Sequence, residues 1–420
     1  MNSGSPDKRP RALLTIASAY CLVLVYFAFP VSVALANTTL ALAVLLAGVR
    51  LSDAQARAEL VRMLRNPVVW PAMGLVLVMV VATLWSPADW SEYQNYLRKY
   101  FKLVLLPIFL FLLADPEMRK RCWQAFAVAM LLTLASTWLN VWFDLPWSST
   151  QNQGFGVDHT VFKDHISQGI MMAFFTCSTL FWATKSASAV GRVLWTGVAV
   201  LAAASVLFLS VGRTGYLSLV LSVLVFAVVV LACRPRLLGA VLGAGLLGLA
   251  LAFALSSQFQ QRTLQAWQEA RSSSPSSVTS VGARVQVWHF AVQQIRERPL
   301  LGAGTGSYPV LATAHFENPA MCATICPHPH NQFLFFLFEL GLLGLLVFAW
   351  FLWAIVRQAF RHPPAHRALM LSFVAVMLVS NMTHSSFWLS TESHFFILFT
   401  ALLMASAMRP VEQVRSAKPI

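Results

Sequence analysis

The chain has 420 residues, is 58% hydrophobic and 11% charged, and carries 30 Lys and Arg against 16 Asp and Glu. A water-soluble domain holds about a quarter of its residues as charges, so this composition excludes an ordinary soluble enzyme and equally excludes disorder. The mean hydropathy of +0.66 and the succession of long apolar runs place the chain in the membrane class, where a helical span needs roughly 20 apolar residues.

In chain order, apolar runs between charged or Pro/Gly breaks predict about twelve transmembrane helices in an all-α polytopic membrane protein. They cover Ala12 to Phe29, Val33 to Val49, Val68 to Trp85, Phe101 to Ala114, Trp123 to Phe143 and Ser167 to Thr184. The second half continues with Val193 to Ser210, Tyr216 to Cys233, Leu237 to Leu255, Asn331 to Val356, Ala368 to His384 and Phe395 to Met408. The fourth reaches full length only with Tyr96 to Lys99 added. An even number puts both termini on one side. With the termini cytoplasmic, that side carries twenty of the bases and six of the acids, and the far side ten of each. The whole net charge of +14 then lies where the positive-inside rule places it. It is spread over short segments and forms no single stripe, which argues against nucleic acid as a partner. Lys8, Arg9 and Arg11 precede the first run and Ala34-Leu35-Ala36 follows it, but the run exceeds the roughly 7–15 residues of a signal-peptide core. An uncleaved first span is expected.

Three regions follow: spans one to nine in 1–255, a large outer loop in 256–329, and the last three spans with a short tail in 330–420. The loop opens with Gln258 to Arg271 and passes through the turn-prone Ser272 to Ser277. An amphipathic helix over Arg284 to Arg298 comes next, with Ser280 as its N-cap. In it Arg284, Trp288, Ala291 and Ile295 share one stripe. An arginine near a helix N-terminus suits an anion; a guanidinium snorkelling to lipid phosphate has the same pattern.

Other outer positions carry candidate chemistry. Arg213 interrupts an apolar region in the short turn Ser210-Val211-Gly212-Arg213-Thr214-Gly215, and an ionisable group there is a functional candidate by default. Arg98 and Lys102 lie at i, i+4 where a span begins, ready for phosphate or for lipid head groups. His330 stands at the start of a span, where an imidazole can act as a general base near neutral pH; a capping histidine would occupy the same place. Cys322 and Cys326 lie outside the spans, where a disulfide is permitted. With His328 and His330 their spacing superficially resembles zinc ligands; an oxidised pair would not ligate, and no catalytic carboxylate accompanies them. His384 and His394 read as interfacial. Glu339 lies about two turns into a span with no evident partner.

These residues carry a resemblance. Gly282-Ala283-Arg284, Trp288, Ala291, Ile295, the run Pro299-Leu300-Leu301-Gly302-Ala303-Gly304-Thr305-Gly306-Ser307-Tyr308 and then His330-Asn331-Gln332-Phe333-Leu334 resemble the O-antigen ligase and polymerase superfamily of bacterial envelope glycosyltransferases. Length and layout are closest to its ligase branch. The resemblance implies a metal-independent, inverting transfer at the periplasmic side of the inner membrane, without a cofactor. Its implied donor is O-antigen on undecaprenyl pyrophosphate, and its acceptor a sugar hydroxyl of the lipid A core. It further implies His330, Arg284 and Arg213 as catalytic residues, the two arginines also binding the substrate's pyrophosphate; beside them Arg98, Lys102 and Tyr308 are candidates for binding substrate. A polymerase of lipid-linked repeats and a protein O-oligosaccharyltransferase remain within the same superfamily. A flippase for lipid-linked sugars would instead need broken helices and polar groups at mid-membrane.

Overall fold

The computed structural model describes residues 8–271 and 280–406, which form eighteen α-helices and no strand. The Ser272 to Ser277 tract and the tail beyond Ser406 lie outside the described residues. The first half holds α1 (Lys8–Val31), α2 (Val33–Arg50), α3 (Ala54–Met63), α4 (Val69–Val81), α5 (Trp90–Tyr100), α6 (Leu106–Leu112), α7 (Pro116–Leu139), α8 (His165–Lys185) and α9 (Ala189–Leu209). The second half holds α10 (Arg213–Leu231), α11 (Pro235–Leu255), α12 (Ser257–Arg271), α13 (Ser280–Glu297), α14 (Ser307–His315), α15 (Pro319–Ile325), α16 (Gln332–Ala359), α17 (Pro364–Thr383) and α18 (Ser390–Ser406).

Each of the twelve apolar runs falls on a helix, but among the described residues eight helices are long and apolar enough to cross a membrane: α2, α7, α8, α9, α10, α11, α16 and α17. The apolar stretches Ile16–Val31 and Val69–Trp85 are shorter. The fourth run departs most from expectation. Tyr96 to Lys99 belong to the separate polar helix α5, a 3₁₀ turn at Phe101–Leu103 intervenes, and α6 has 7 residues, about 10 Å of helix.

Sequence explains the helix starts. Asp164 accepts from the backbone N–H of Ile166 and Ser167 at the head of α8, and Asn331 accepts from Phe333 and Leu334 at the head of α16, at 2.9–3.0 Å. Such caps meet donors that the helix itself leaves open. The core between α1, α7, α8, α17 and α18 is aromatic: Phe399 packs edge-on to Phe126 at 4.6 Å and to Phe174 at 5.0 Å, and Phe373 and Phe395 close the group. Ring pairs of this geometry add to area burial. Helices α8 and α10 cross where Gly169 meets Gly215; a Cβ on Gly169 would lie 3.0 Å from the Gly215 Cα. That close approach brings the first turn of α10, with Arg213, against the first turn of α8.

The Gly-rich run after α13 is an architectural joint. Gly341 has φ +65° inside α16 and interrupts its helical backbone. Across that break the N–H of Ala303 bonds to the Phe338 carbonyl, Gly304 to Glu339, and Leu342 back to Pro299, at 2.8–2.9 Å. No Cβ fits at the contact: one on Gly302 would meet the Glu339 carbonyl carbon at 2.5 Å, and one on Gly341 the Leu300 carbonyl carbon at 2.3 Å. Glu339, unassigned from sequence, is fully buried here, and its carboxyl oxygens accept from the N–H of Gly306 (3.2 Å) and Tyr308 (3.1 Å). The Tyr308 N–H is one of the donors that the first turn of α14 leaves open.

Candidate active site

The head of α16, the end of α17, the head of α18 and the first turns of α8 and α10 meet at one end of the bundle. Thr214 and Thr383 are joined through their hydroxyls at 2.9 Å, Phe387 donates its N–H to Gln332 at 3.0 Å, and Gln332 donates to the Tyr100 hydroxyl at 2.8 Å. The helix α13 docks onto this end through Trp288, whose indole N–H donates to the Pro329 carbonyl at 3.0 Å. Its packed face is centred on Val287, Phe290 and Ala291; Arg284, Trp288 and Ile295 run along the flank, half-buried.

His330 sits at the focus. It is the one non-glycine residue with positive φ (52°) among the described residues, a backbone state that costs free energy and concentrates at functional sites. Its Nε2 lies 3.2 Å from the Thr324 carbonyl. A carbonyl can only accept, so Nε2 carries the proton and Nδ1 carries the lone pair. That Nδ1 is buried and has no hydrogen-bond partner. Burial first, then the charges of His384 and Arg284, push the His330 pKa down to about 4, with the Thr324 bond acting the other way. The ring is therefore neutral at neutral pH.

Two further imidazoles complete the cluster. His328 lies 4.3 Å from His330 between ring centroids, and His384 stacks on His330 at 5.4 Å. Burial, its two neighbours, Arg284 and Lys99 hold His328 well below the ordinary histidine range. His384 was expected at the membrane interface; it is instead 9% exposed, because the end of α17 turns inward to meet the head of α16. Its Nδ1 faces Glu392 Oε1 at 3.6 Å, and Ser167 Oγ lies 2.8 Å from that oxygen and 2.6 Å from Asp164 Oδ2. His394, also expected at the interface, is buried within α18, its Nδ1 2.6 Å from the Ser390 carbonyl. One nitrogen from each of His328, His330 and His384 lies within 4.8 Å of the others, a spacing open to a metal ion. Arg284 and Lys99 already bring positive charge to these rings, which disfavours a dication.

The remaining expected residues divide. Arg284 reaches the cluster, since its charge acts on both His328 and His330. Arg213 opens α10 beside Thr214, whose partner Thr383 precedes His384. Lys102 turns inward and donates to Ser393 Oγ at 2.7 Å, whereas Arg98 is exposed. The helix α5 ends at Tyr100 before a 3₁₀ turn, so the i, i+4 relation of Arg98 and Lys102 does not hold them on one face. Lys99, not singled out from sequence, is the cation of α5 that acts on His328, and its ammonium lies 5.2 Å from the Trp388 ring centroid. Lys163 adds another: burial lowers its pKa, while Asp164 and Glu392 support its charge. Tyr308 stands apart, fully buried among Phe290, Phe335 and Phe338, with its hydroxyl donating to the Ile325 carbonyl at 2.9 Å. In that position it supports α15.

Residues 197–349 match the family described as O-antigen ligase, a stretch that contains Arg213, Arg284 and His330. The match supports membership of the O-antigen ligase and polymerase superfamily and indicates an enzyme of membrane glycosyltransferase type. No curated protein matches the chain.

Proposed function

We propose that this superfamily member transfers O-antigen polysaccharide from undecaprenyl pyrophosphate to a sugar hydroxyl of lipid A-core, with inversion at the anomeric carbon. The observation that carries the reading is the neutral, strained His330 with an unpartnered, buried Nδ1 beside the Arg284 charge. A base and a cation so juxtaposed serve the two charge movements of the reaction. The acceptor hydroxyl gives its proton to Nδ1, and its oxygen attacks the anomeric carbon. The bond from that carbon to the pyrophosphate oxygen breaks on the opposite face, and its electron pair stays on the leaving phosphate.

Negative charge growing on the leaving group needs oriented cations in a partly dry site. Arg284 and Arg213 fill this role, because guanidinium forks fit phosphate oxygens in pairs; Lys99 adds charge beside them. The protonated His330 is opposed by its cationic neighbours and so releases its proton readily once product leaves. Energy resides in the lipid-linked donor, and no nucleotide enters. Exposed Arg98 suits a lipid head group at the surface. In this reading the chain lies in the bacterial inner membrane with both termini cytoplasmic, and the histidine cluster faces the periplasm.

Deleting the gene in an O-antigen-producing cell tests the assignment. Long polymer stranded on undecaprenyl pyrophosphate with bare core on lipid A is the expected outcome. Core bearing a single repeat would identify a polymerase instead.

A further inference from the structure

Cys322 and Cys326, left open between thiols and a bridge by sequence, are joined in a disulfide. They bracket Thr324, whose carbonyl is the group that holds His330 Nε2. The segment around them has little to stiffen it: α15 has 7 residues, far below the roughly 12–15 at which a helix in water becomes even marginally stable by itself. The arc from Cys322 to Pro329 is restrained by the disulfide, the Cys326 N–H on the Cys322 carbonyl, the Tyr308 hydroxyl on the Ile325 carbonyl, and the Trp288 indole on the Pro329 carbonyl. The disulfide is the covalent tie among them, and it encloses Thr324 together with the Cys326 N–H bond to the Cys322 carbonyl.

We propose that the Cys322–Cys326 disulfide is a positioning element of the transfer site: it keeps the Thr324 carbonyl against His330 Nε2, so that the proton stays on Nε2 and the lone pair on Nδ1. The inference rests on the general-base reading of His330. A neutral imidazole has two tautomers of similar energy, and the partner of one nitrogen decides which is present. With the carbonyl free to swing, both tautomers are populated, and water enters around the ring. The bridge is also open to reductants, since both cysteines line a cleft of about 690 Å³ together with Glu92, Glu317 and Trp388. The site is thereby expected to work best in an oxidising compartment.

The groups facing His330 fix the sign of the effect. His328 lies in its own loop, His384 at the end of α17, and Arg284 on α13; Lys99 of α5 acts on His328, and Glu392 of α18 stands behind His384. Burial is the largest cause of the low His330 pKa. Hydrating the ring therefore moves its pKa up, toward the ordinary value of about 6.5.

The test uses the full-length protein in proteoliposomes with a lipid-linked glycan donor and lipid A-core. In the double variant Cys322→Ser/Cys326→Ser, kcat is expected to fall about tenfold or more, part of the 10²–10⁴ a general base supplies. KM should change little, and the acid limb of kcat should move upward in pH. Wild-type protein in dithiothreitol should behave in the same way, the reagent closing to its cyclic disulfide as Cys322 and Cys326 become thiols, and reoxidation should restore the rate. If the double variant does not accumulate, the reduced wild-type protein carries the test. An unchanged kcat, or a reduced kcat with the acid limb unmoved, overturns the proposal, the second result marking the bridge as merely structural. Absence of transfer by oxidised wild-type protein would count against the glycosyltransferase reading itself, so the two failures are distinguishable.

Discussion

Trp288 donates its indole N–H to the carbonyl of Pro329, the residue immediately before His330, at 3.0 Å. Arg284 lies one turn earlier on the same helix flank, so this bond sets how far its guanidinium stands from the imidazole. Trp288→Phe keeps a ring of similar packing but removes the donor. One neutral hydrogen bond contributes about 0.5–1.5 kcal/mol, and the expected result is a fall in transfer rate of up to about tenfold with normal membrane insertion, read in a reconstituted transfer assay.

The pH dependence follows from His330. Its pKa is lowered to about 4, and the base works only unprotonated. Transfer is therefore fully supported above that value and lost as pH falls through it. An ordinary histidine would fail near pH 6.5. A kcat profile flat from neutrality down to about pH 5, with an acid limb near the lowered value, is expected; a limb at the ordinary value would show that the ring is hydrated during turnover.

Lys99 and Arg98 make opposite predictions although they are adjacent. Lys99→Met removes a charge that acts on the histidine cluster and should raise KM for the pyrophosphate-linked donor. Arg98→Met removes a charge on an exposed face and should leave it near the wild-type value. Donor titrations of both variants in vesicles of fixed lipid composition decide between them.

The joint between the Gly-rich run and α16 is a stability element. Glu339→Ala leaves the N–H groups of Gly306 and Tyr308 without their buried acceptor, at about 1–3 kcal/mol for each. Gly341→Ala forces a Cβ into the Leu300 backbone at positive φ, where backbone strain alone costs about 1–3 kcal/mol. Both variants should show lower thermal midpoints in detergent, measured by loss of the monodisperse peak on size-exclusion chromatography after heating.

Much of this was legible in the sequence because it is local. Most apolar runs fall on single helices, eight of them long and apolar enough to cross a membrane among the described residues, since hydropathy and cap residues act over neighbouring positions. Arg213 stood out as a charge within an apolar region, Arg284 by its place on the loop helix's apolar stripe, and His330 by its place at the head of a span. What stayed hidden depends on distant packing. His384 joins His330 only because α17 ends where α16 begins, and Glu392 enters through α18. Arg98 and Lys102 part company because α5 gives way to a 3₁₀ turn that hydropathy does not register, and Lys99 is the α5 cation whose charge acts on His328. Tyr308, a binding candidate from sequence, and Glu339, left without a role, share one surrounding: the run from Gly302 to Gly306 threads against a break in α16, where Glu339 accepts from the Gly306 and Tyr308 N–H groups. His384 had one signal, the mirror image of the signal at His330: a histidine ending one apolar helix as His330 stands before the start of another.

The most direct measurement is single-turnover transfer by the purified protein in proteoliposomes, comparing wild type with His330→Ala, Arg284→Ala and Arg213→Ala while donor binding is followed separately. Transfer by the wild-type protein, with a loss of about 10²–10⁴ in His330→Ala that leaves donor binding intact, and weakened donor binding in the arginine variants, is the expected result. Transfer by His330→Ala at the wild-type rate would contradict the assignment of its imidazole as the base.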